Sequence, residues 1–339
     1  MTLSREIRLK SRPTGTPTHE HFDLQTVDVP PPAAGEVQVR NEHMSVDPSM
    51  RGRMYDARSY VPPFEVGKAI EGRAVGRVAA SADPRFAEGD YVVSDFGWRE
   101  LFNAPADKLE KIDTASLPPR AYLGIAGISG FTAYVGLIHM ASLKPGDVVF
   151  VSAASGAVGS VVCQIARIRG HKVIGSAGGA EKIAFLKDEL GVDEVIDYTA
   201  EPSLTKALAR AAPDGIDVYF DNVGGPHLEA ALARANRFAR FALCGMISTY
   251  NLAEPAPGPR NLVLAITKNI RLQGFIVLNY THLHGEFIDQ LRRWHAEGRI
   301  SQKETIVDGL EAAPDAFLGL FNSGGSGRQK LGKMLVSLG

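Results

Sequence analysis

The sequence predicts an α/β fold in which a domain with a doubly wound parallel sheet is held within a second, mostly β domain. Three observations predict it. The first third of the chain alternates apolar and polar residues over short runs bounded by proline and glycine. From about residue 145, short apolar strands alternate with helix-like stretches, a rhythm typical of consecutive βα units. After residue 302, strand patterns return around one helix, so we expect the chain to re-enter its first domain.

These elements place the first domain at 1–125 and 303–339, and the second at 126–302. In the first domain the predicted strands are 37–44, 67–78, 90–94, 304–307 and 333–337, with a helix over 311–321. In the second, strands are expected to begin near Val148, Lys172, Glu194, Val218 and Arg240. An amphipathic helix with Val158, Val161, Val162, Ile165 and Ile168 on one face follows the first of these strands. Gly170 ends that helix, and Gly298 ends a later one.

Charge and cysteine content narrow the classes of function. The 339 residues include 37 Lys plus Arg against 38 Asp plus Glu, a formal net charge of −1. Such a balance offers no bulk field to recruit nucleic acid or an anionic membrane. The start of the chain is too polar for a signal peptide, and no apolar run is long enough to span a bilayer. The near-neutral charge favours a small molecule as the ligand. The two cysteines, Cys163 and Cys244, imply no disulfide framework and favour the cytoplasm.

The most specific motif is the run from Val148 to Gly159, VVFVSAASGAVG. Aligned with the dinucleotide-binding pattern G-x-G-x-x-G, its three positions are Ala154, Gly156 and Gly159. The second glycine lets the backbone approach a pyrophosphate, and the third lets the helix pack close to the strand. The N-terminus of the helix then offers unpaired N–H groups to the phosphates. A strand before the motif and a helix after it favour a Rossmann nucleotide site over a tight turn without a nucleotide.

The second strand decides between NAD and NADP. An NAD enzyme usually places an acid at the end of this strand to hold the ribose hydroxyls. Here the strand runs into small residues at 175–179, which leave room for a phosphate that Ser176 and Lys182 can bind. Glu181 is the opposing feature, although it lies past the strand end, in a first helical turn where an acid is favoured. The sequence therefore predicts NADPH.

Metal ligands are scarce, so another group must polarise the substrate. Two cysteines cannot build a four-cysteine zinc lobe, and the histidine pairs 19/21 and 282/284 are expected in loops without carboxylate or cysteine company. A hydrogen-bond donor such as a phenol can replace a Lewis acid at a carbonyl. Tyr250 follows the strand near Arg240 and is therefore expected at the carboxyl edge of the sheet, where ligands bind. A tyrosine phenol is ordinarily protonated at neutral pH. The other interpretation of Tyr250 is a packing aromatic in a loop.

Five segments together resemble the medium-chain reductases that act on activated double bonds, such as the prostaglandin, alkenal and curcumin reductases. The segments are 46–54, 153–159, 221–225, 245–251 and 273–277, and the resemblance covers essentially the whole chain. It implies a GroES-like, mostly β catalytic domain beside the Rossmann domain, NADPH as cofactor and no zinc. It also implies a reaction: hydride reaches the β-carbon of an α,β-unsaturated ketone or aldehyde, and the α-carbon is then protonated.

The resemblance assigns residues to that reaction. At the cofactor phosphates it implies Ser155, Gly156, Ala157, Val158, Gly159, Lys182 and Tyr198. Along the nicotinamide and ribose it implies Asn222, Cys244, Gly245, Met246, Ile247, Thr249, Tyr250, Phe275, Ile276 and Val277. Tyr250 would stabilise the enolate oxygen or relay the proton, and Arg51 and Tyr60 would border the substrate mouth. The implied partner is a second copy of the chain, joined along 271–278.

Two positions depart from the pattern of the resemblance. Ser49 stands where many relatives carry a tyrosine, which would remove an aromatic wall from the pocket. Lys330 stands where relatives tend to have asparagine, so its predicted cofactor contact is less well supported. Two other functions stay open at this point. One is an NADPH:quinone oxidoreductase, because a quinone is also a vinylogous carbonyl, and the other is an NADPH-binding protein without catalysis.

Overall fold

The computed structural model of the protein describes residues 2–321 and 330–339, which form two compact units. The first consists of the described residues of Met1–Leu123, Glu304–Asn322 and Lys333–Gly339. The second consists of Gly124–Lys303 together with residues 330–332. These divisions lie beside those drawn from the sequence, except that 330–332 belong to the second unit.

The first unit begins as β structure. Its strands are β1 (Thr2–Leu9), β2 (Phe22–Val29), β3 (Glu36–Ser45), β4 (Ala74–Ser81), β5 (Tyr91–Ser94), β6 (Leu101–Pro105) and β7 (Glu110–Lys111), with α1 at Met50–Arg53. Short 3₁₀ turns occupy His19–His21, Ala106–Lys108 and Pro119–Leu123. Strands β1 and β2 form an antiparallel pair along their whole length.

The second unit alternates strands and helices. Its strands are β8 (Val148–Val151), β9 (Lys172–Ala177), β10 (Glu194–Asp197), β11 (Ile216–Asp221), β12 (Ala235–Leu243) and β13 (Arg271–Gly274). Its helices are α2 (Ile128–Tyr134), α3 (Gly159–Ile168), α4 (Ala180–Ala184), α5 (Leu204–Ala211), α6 (Gly225–Arg234), α7 (Leu264–Thr267) and α8 (His284–Ala296). Two helices continue as π-helical turns, at Val135–Met140 and Phe185–Glu189, and 3₁₀ turns lie at Ile247–Thr249 and Val277–Leu283.

The chain then returns to the first unit, as predicted. Strands β14 (Glu304–Asp308) and β15 (Lys333–Ser337) flank α9 (Ala313–Leu318), which has 3₁₀ turns at Leu310–Ala312 and Gly319–Phe321. The described strands of this unit form a sheet in the order β14-β15-β3-β4-β5-β7, with β6 also paired to β3. A core around the fully buried Trp98, stacked on Phe22 at 5.7 Å, joins β1, β15 and α9.

The sheet of the second unit is parallel and doubly wound, which confirms the predicted fold class. Its described strands run in the order β10-β9-β8-β11-β12-β13. The order reverses between β8 and β11, so the carboxyl ends of these two strands flank the crevice where ligands bind in such sheets. Apolar side chains of this sheet, including Phe150, Tyr219 and Phe241, are buried under α5 and α6. No helix in the described residues is long and apolar enough to cross a membrane.

Several predicted element boundaries are wrong. Strand β12 begins at Ala235 and not near Arg240, because residues 236–238 are polar or exposed and hide the strand pattern. Residues 67–73 are not strand; Gly67 adopts a φ of +82°, which places a turn before β4. Residues 19–21 form a 3₁₀ turn and not an open loop, and His284 is the first residue of α8.

Candidate active site

The turn between β8 and α3 has the geometry that the glycine motif predicts. The Gly156 N–H donates to the Ala153 carbonyl at 3.0 Å, and the Ser160 N–H donates to the Gly156 carbonyl at 2.9 Å. A Cβ added to Gly159 would lie 2.3 Å from the Ala153 carbonyl oxygen, so only glycine lets α3 begin this close to the turn. The first turn of a helix in this position fits a pyrophosphate.

Ala154 replaces the first glycine of the motif, and the neighbouring strand accommodates its methyl group. The methyl group is fully buried beside Gly175 of β9. A Cβ added to Gly175 would lie 3.1 Å from the Ala154 Cβ. The Ala154 N–H also donates to the Ser176 carbonyl at 2.9 Å. Because Gly175 has no side chain, the Ala154 methyl group fits beside it in the turn.

The loop after β9 provides the side predicted to hold the adenosine phosphate. A Cβ added to Gly178 would lie 3.1 Å from the ring and hydroxyl of Tyr198, so this ring packs directly on the glycine backbone. Tyr198 and Lys182 are both half-buried. Burial lowers the pKa of Lys182, against the opposing effect of Glu181. A phosphate at this side would offset that desolvation by supplying a counter-charge.

Ser176 does not present its side chain to this side. The residue is fully buried, and its Oγ lies 3.0 Å from Nε2 of the buried His227. The hydroxyl predicted to donate to a phosphate is therefore engaged inside the unit. Residues 175–178 are buried and Gly179 is half-buried, so the predicted room for a phosphate stays a prediction, with Lys182 and Tyr198 as its candidate side chains.

Asp221, the last residue of β11, organises the crevice. Its Oδ1 accepts hydrogen bonds from the Tyr219 hydroxyl at 2.7 Å and from the N–H groups of Val223 and Gly224 at 2.9 and 2.8 Å. The side chain is fully buried, and burial raises the pKa of this carboxyl even though these hydrogen bonds oppose the change. Gly224 has a φ of +70°, a conformation that glycine adopts without strain.

The ends of β8, β11 and β12 are tied together around Asp221. The Asn222 N–H donates to the Ser152 Oγ at 2.9 Å, and its side-chain amide donates to the Ser152 carbonyl at 2.8 Å. The N–H groups of Cys244 and Gly245 both donate to the Asp221 carbonyl, at 2.9 and 3.0 Å. Burial and the neighbouring Asp221 carboxylate raise the pKa of the Cys244 thiol to about 12, so it is protonated at neutral pH.

Tyr250 lies over the end of β12. Its hydroxyl oxygen accepts a hydrogen bond from the Met246 N–H at 3.3 Å, and a Cβ on Gly245 would lie 2.9 Å from that oxygen. The 3₁₀ turn at Ile247–Thr249 folds the tyrosine back over the loop, where the Thr249 hydroxyl donates to the Met246 carbonyl at 2.8 Å. The phenol therefore lies against Gly245, two residues after the end of β12, and its contact with a substrate stays a prediction.

The segment after β13 adds an aromatic wall to the same edge. A Cβ on Gly136 would lie 2.7 Å from Phe275 and 2.5 Å from Phe220, so the two rings close over this glycine. The rings of Phe220 and Phe275 meet edge to face at 6.4 Å. Ile276 is half-buried and Val277 is buried.

Lys330 lies on a segment that reaches the glycine turn. The Gly332 N–H donates to the Ser155 carbonyl at 2.8 Å, and Gly332 forms a parallel bridge with Gly156. Lys330 precedes Gly332 by only two residues, and its contact with the cofactor stays a prediction.

The two predicted substrate residues lie in the first unit. Arg51 is fully buried; it donates to the Gly15 carbonyl at 2.6 Å and stacks on the Tyr55 ring at 4.0 Å. These contacts give Arg51 a structural role within that unit. Tyr60 is 55% exposed. Their contact with a substrate stays a prediction.

Sequence reasoning missed four residues that shape the crevice: Ser152, Asp221, His227 and Gly136. Asp221 lies in the segment 221–225, where the sequence predicts a cofactor contact only for Asn222. Asp221 and Ser152 directly follow or end strands at the switch point of the sheet, and that position could have indicated them. A lone helical histidine and a lone helical glycine give no such signal.

No group of three or more His, Cys, Asp or Glu side chains in the part of the chain that the structure describes is arranged to hold a metal ion. The histidine pairs are engaged elsewhere. His19 Nε2 lies 2.7 Å from a carboxylate oxygen of Asp315, the Thr18 N–H lies 3.0 Å from Nδ1 of His21, and His284 packs edge to face on Phe131. The prediction that His19 has no carboxylate neighbour is wrong, because the fold brings Asp315 to it from 296 residues away.

Two family models match the chain. Residues 5–112 match the N-terminal domain of oxidoreductase, and residues 157–294 match a family described as zinc-binding dehydrogenase. The glycine turn, the strand-end loops and the sheet order thus define the class: a dinucleotide-dependent oxidoreductase with a medium-chain dehydrogenase fold. The zinc in that description is a property of the matched family; whether this chain works without zinc belongs to the proposal below.

Comparison with individual proteins places the chain more finely. It is 46% identical over 332 residues to the putative NADP-dependent oxidoreductase YfmJ of Bacillus subtilis, covering 97% of this chain and 98% of that one. It is 42% identical to the NADP(+)-dependent 2-alkenal reductase of Nicotiana tabacum, covering 96% of each. The crystal structure of CurA from Vibrio vulnificus in complex with NADPH superimposes with a TM-score of 0.91 at 40% identity, over 99% of both chains. The chain belongs to the medium-chain dehydrogenase/reductase family, among its NADP-dependent alkenal and enone reductases.

Proposed function

We propose that this chain uses NADPH to reduce the C=C bond of α,β-unsaturated ketones and aldehydes. The observation that carries the proposal is the position of Tyr250. Its hydroxyl lies over Gly245 at the carboxyl edge of the sheet, beside loops that fit a nicotinamide. The relative from tobacco is a 2-alkenal reductase. A donor to the carbonyl oxygen stabilises the negative charge that hydride addition to an enal or enone places there.

The cofactor is NADPH. The loop after β9 has small residues and no acid at 175–179, while Lys182 and Tyr198 line the side where the adenosine phosphate would lie. The B. subtilis and tobacco relatives are NADP-dependent, and the similar Vibrio protein was crystallised with NADPH. We assign Ser155–Gly159 to the pyrophosphate, and Asn222, residues 244–247, Thr249 and residues 275–277 to the ribose and nicotinamide.

The protein's part in the reaction is positioning and stabilisation of the developing negative charge by a hydrogen bond. NADPH, when bound, supplies the hydride that adds to the β-carbon of the substrate. Negative charge then develops on the carbonyl oxygen, and the Tyr250 hydroxyl donates a hydrogen bond to it. A proton added at the α-carbon completes the saturated product. Polarisation is assigned to Tyr250 and not to zinc, because the described residues lack a set of metal ligands.

The substrate is assigned as a small-molecule enone or enal, with Arg51 and Tyr60 of the first unit as the candidate residues for binding it. The near-neutral charge of the chain suits an uncharged substrate.

The chain is also proposed to act in the cytoplasm as a homodimer. Strand β13 is at the edge of its sheet, with β12 as its neighbour in the described residues. Val263 and Ile266, which precede β13 in sequence, are 61% and 77% exposed. Phe238 of β12 is 64% exposed, and its N–H donates to the Lys268 carbonyl next to β13. An exposed apolar patch beside an unpaired strand edge is typical of a contact between copies. The cytoplasmic location rests on the two free cysteines.

The proposal is tested by following oxidation of NADPH with four substrates: a long-chain enal, a cyclic enone, a diarylheptanoid enone and a quinone. NADH serves as the cofactor control, and a chelator tests zinc. Turnover of enals or enones with NADPH preferred and no effect of the chelator is the expected result. Turnover of the quinone alone would replace the proposal with a quinone reductase. Tight NADPH binding without any turnover would leave a non-catalytic binding protein.

A further inference from the structure

A buried histidine lies behind the side of the site assigned to the adenosine phosphate. His227, on α6, is only 5% exposed, and its Nε2 lies 3.0 Å from the Ser176 hydroxyl at the end of β9. The nicotinamide side of the mechanism makes no use of this pair. His227 is also part of no metal site in the described residues.

The same histidine contacts the aromatic ring that faces the phosphate side. The rings of Tyr198 and His227 meet edge to face, with centroids 5.2 Å apart and planes at 79°. On another side the Tyr198 ring packs on Gly178, where even a Cβ would come within 3.1 Å. Tyr198 is therefore fixed between a glycine backbone and an imidazole, and the imidazole is fixed in turn by Ser176.

We propose that His227 is a positioning residue for the choice of NADPH over NADH, acting by holding the Tyr198 ring where the adenosine phosphate binds. This inference rests on the proposed function, which places that phosphate at Lys182 and Tyr198. His227 touches neither cofactor nor substrate in this scheme; it acts through Tyr198.

The effect is one of shape and not of charge. Burial lowers the pKa of His227 to about 4, so the ring is neutral at neutral pH. The charged and titratable groups near the phosphate side are Lys182 and Glu181 of α4, Asp197 at the end of β10 and Tyr198 itself. Because the His227 ring is neutral, the positive charge that would contact a phosphate is assigned to Lys182.

The test compares two ligands that differ only in the phosphate concerned, adenosine 2′,5′-bisphosphate and adenosine 5′-monophosphate. His227→Phe keeps a ring against Tyr198 and loses the bond to Ser176, whereas His227→Gln keeps a polar end and loses the ring. Because His227→Gln loses the aromatic contact with Tyr198, we expect this variant to bind the bisphosphate about fivefold to tenfold more weakly. Its affinity for the monophosphate should be unchanged. His227→Phe should bind both ligands like the unsubstituted chain. If the glutamine variant does not fold, His227→Met serves as the second ring deletion.

Two results would overturn the inference. One is a folded ring-deletion variant that binds the bisphosphate normally, and the other is an equal loss of both ligands, which would make His227 merely structural. Thermal melts establish which variants are folded. Because ligand binding is measured without a substrate, the result is separate from the enone assay: an enzyme inactive on every enone would refute the proposed reaction and leave the His227 comparison valid.

Discussion

At the residue scale, two backbone groups lie against the Tyr250 hydroxyl. The Met246 N–H donates to it, and the absence of a Cβ on Gly245 leaves the space that it occupies. The loop that carries both residues is anchored because the Cys244 and Gly245 N–H groups bond to the Asp221 carbonyl. The proposed donor is thus fixed before a substrate arrives, which is the condition under which a hydrogen bond stabilises developing charge best.

Tyr250→Phe tests this role. Removing the hydroxyl should lower kcat for enone reduction about a hundredfold, because the carbonyl oxygen loses its donor. The Kd for NADPH should stay the same, since the ring still covers Gly245. Steady-state kinetics with a cyclic enone and a titration of NADPH measure the two quantities.

Tyr91→Phe is the matched control for that variant. It also removes a phenol hydroxyl, one that bonds to the exposed Arg77 in the first unit. Its kinetics should match those of the unsubstituted chain. An unchanged kcat in Tyr250→Phe would show that the phenol is a packing group and that another residue donates to the carbonyl.

At the scale of elements, the close approach of α3 to the turn after β8 determines the phosphate site. The helix begins at Gly159, and its first residues are covered by the turn that contains Ala153. The crevice between β8 and β11 is then held open by Asp221 and Ser152, which link three loops. Each loop is short, so a displacement of one strand end moves the backbone that is to hold the cofactor.

Gly159→Ala should disturb this arrangement. Its methyl group would have to be placed 2.3 Å from the Ala153 carbonyl oxygen, so the helix must move away from the turn. We expect a loss of about 1–3 kcal/mol in the free energy of unfolding and weaker NADPH binding. Gly285→Ala is the control, because a Cβ at that helical position of α8 meets nothing within 4 Å. Urea unfolding and an NADPH titration compare the two; equal behaviour would show that the turn tolerates a side chain.

At the scale of the whole molecule, the proposed dimer follows from an open sheet edge. Neutral proteins of this size rarely leave several large apolar side chains exposed together without a partner. Ile266, Val263 and Phe238 form such a group on the residues that precede or pair with β13. The low net charge of the chain does not oppose association of two copies.

Ile266→Asp is expected to convert the dimer into a monomer, because a carboxylate would have to be desolvated at the contact. Sedimentation velocity measures the change. Leu3→Asp, at an exposed apolar residue of the first unit, should leave the mass unaltered. A chain that is monomeric before any substitution would contradict the proposed dimer.

Much of the architecture could be predicted because it depends on the order of apolar, polar and glycine residues within short segments of the sequence. The alternation of strands and helices, the glycine turn and the returning strands β14 and β15 each depend on residues close together in sequence. The start of strand β12 could not be predicted from local pattern, because residues 236–238 are polar or exposed. The strand forms there because it pairs with β11, which is distant in sequence. Ser176 illustrates the limit at the site, since its partner His227 is 51 residues away.

The sequence by itself determined the class of fold, the cofactor and the glycine turn between β8 and α3. The room for an adenosine phosphate and the role of Tyr250 stay predictions. Only the tertiary structure decided what each side chain faces. It turned the Ser176 hydroxyl inward to His227, placed Arg51 in the interior of the first unit and made Asp221 the link between three loops. The physical reason is that periodicity reports which face of an element is apolar, whereas hydrogen bonds between distant strand ends depend on how the sheet is assembled.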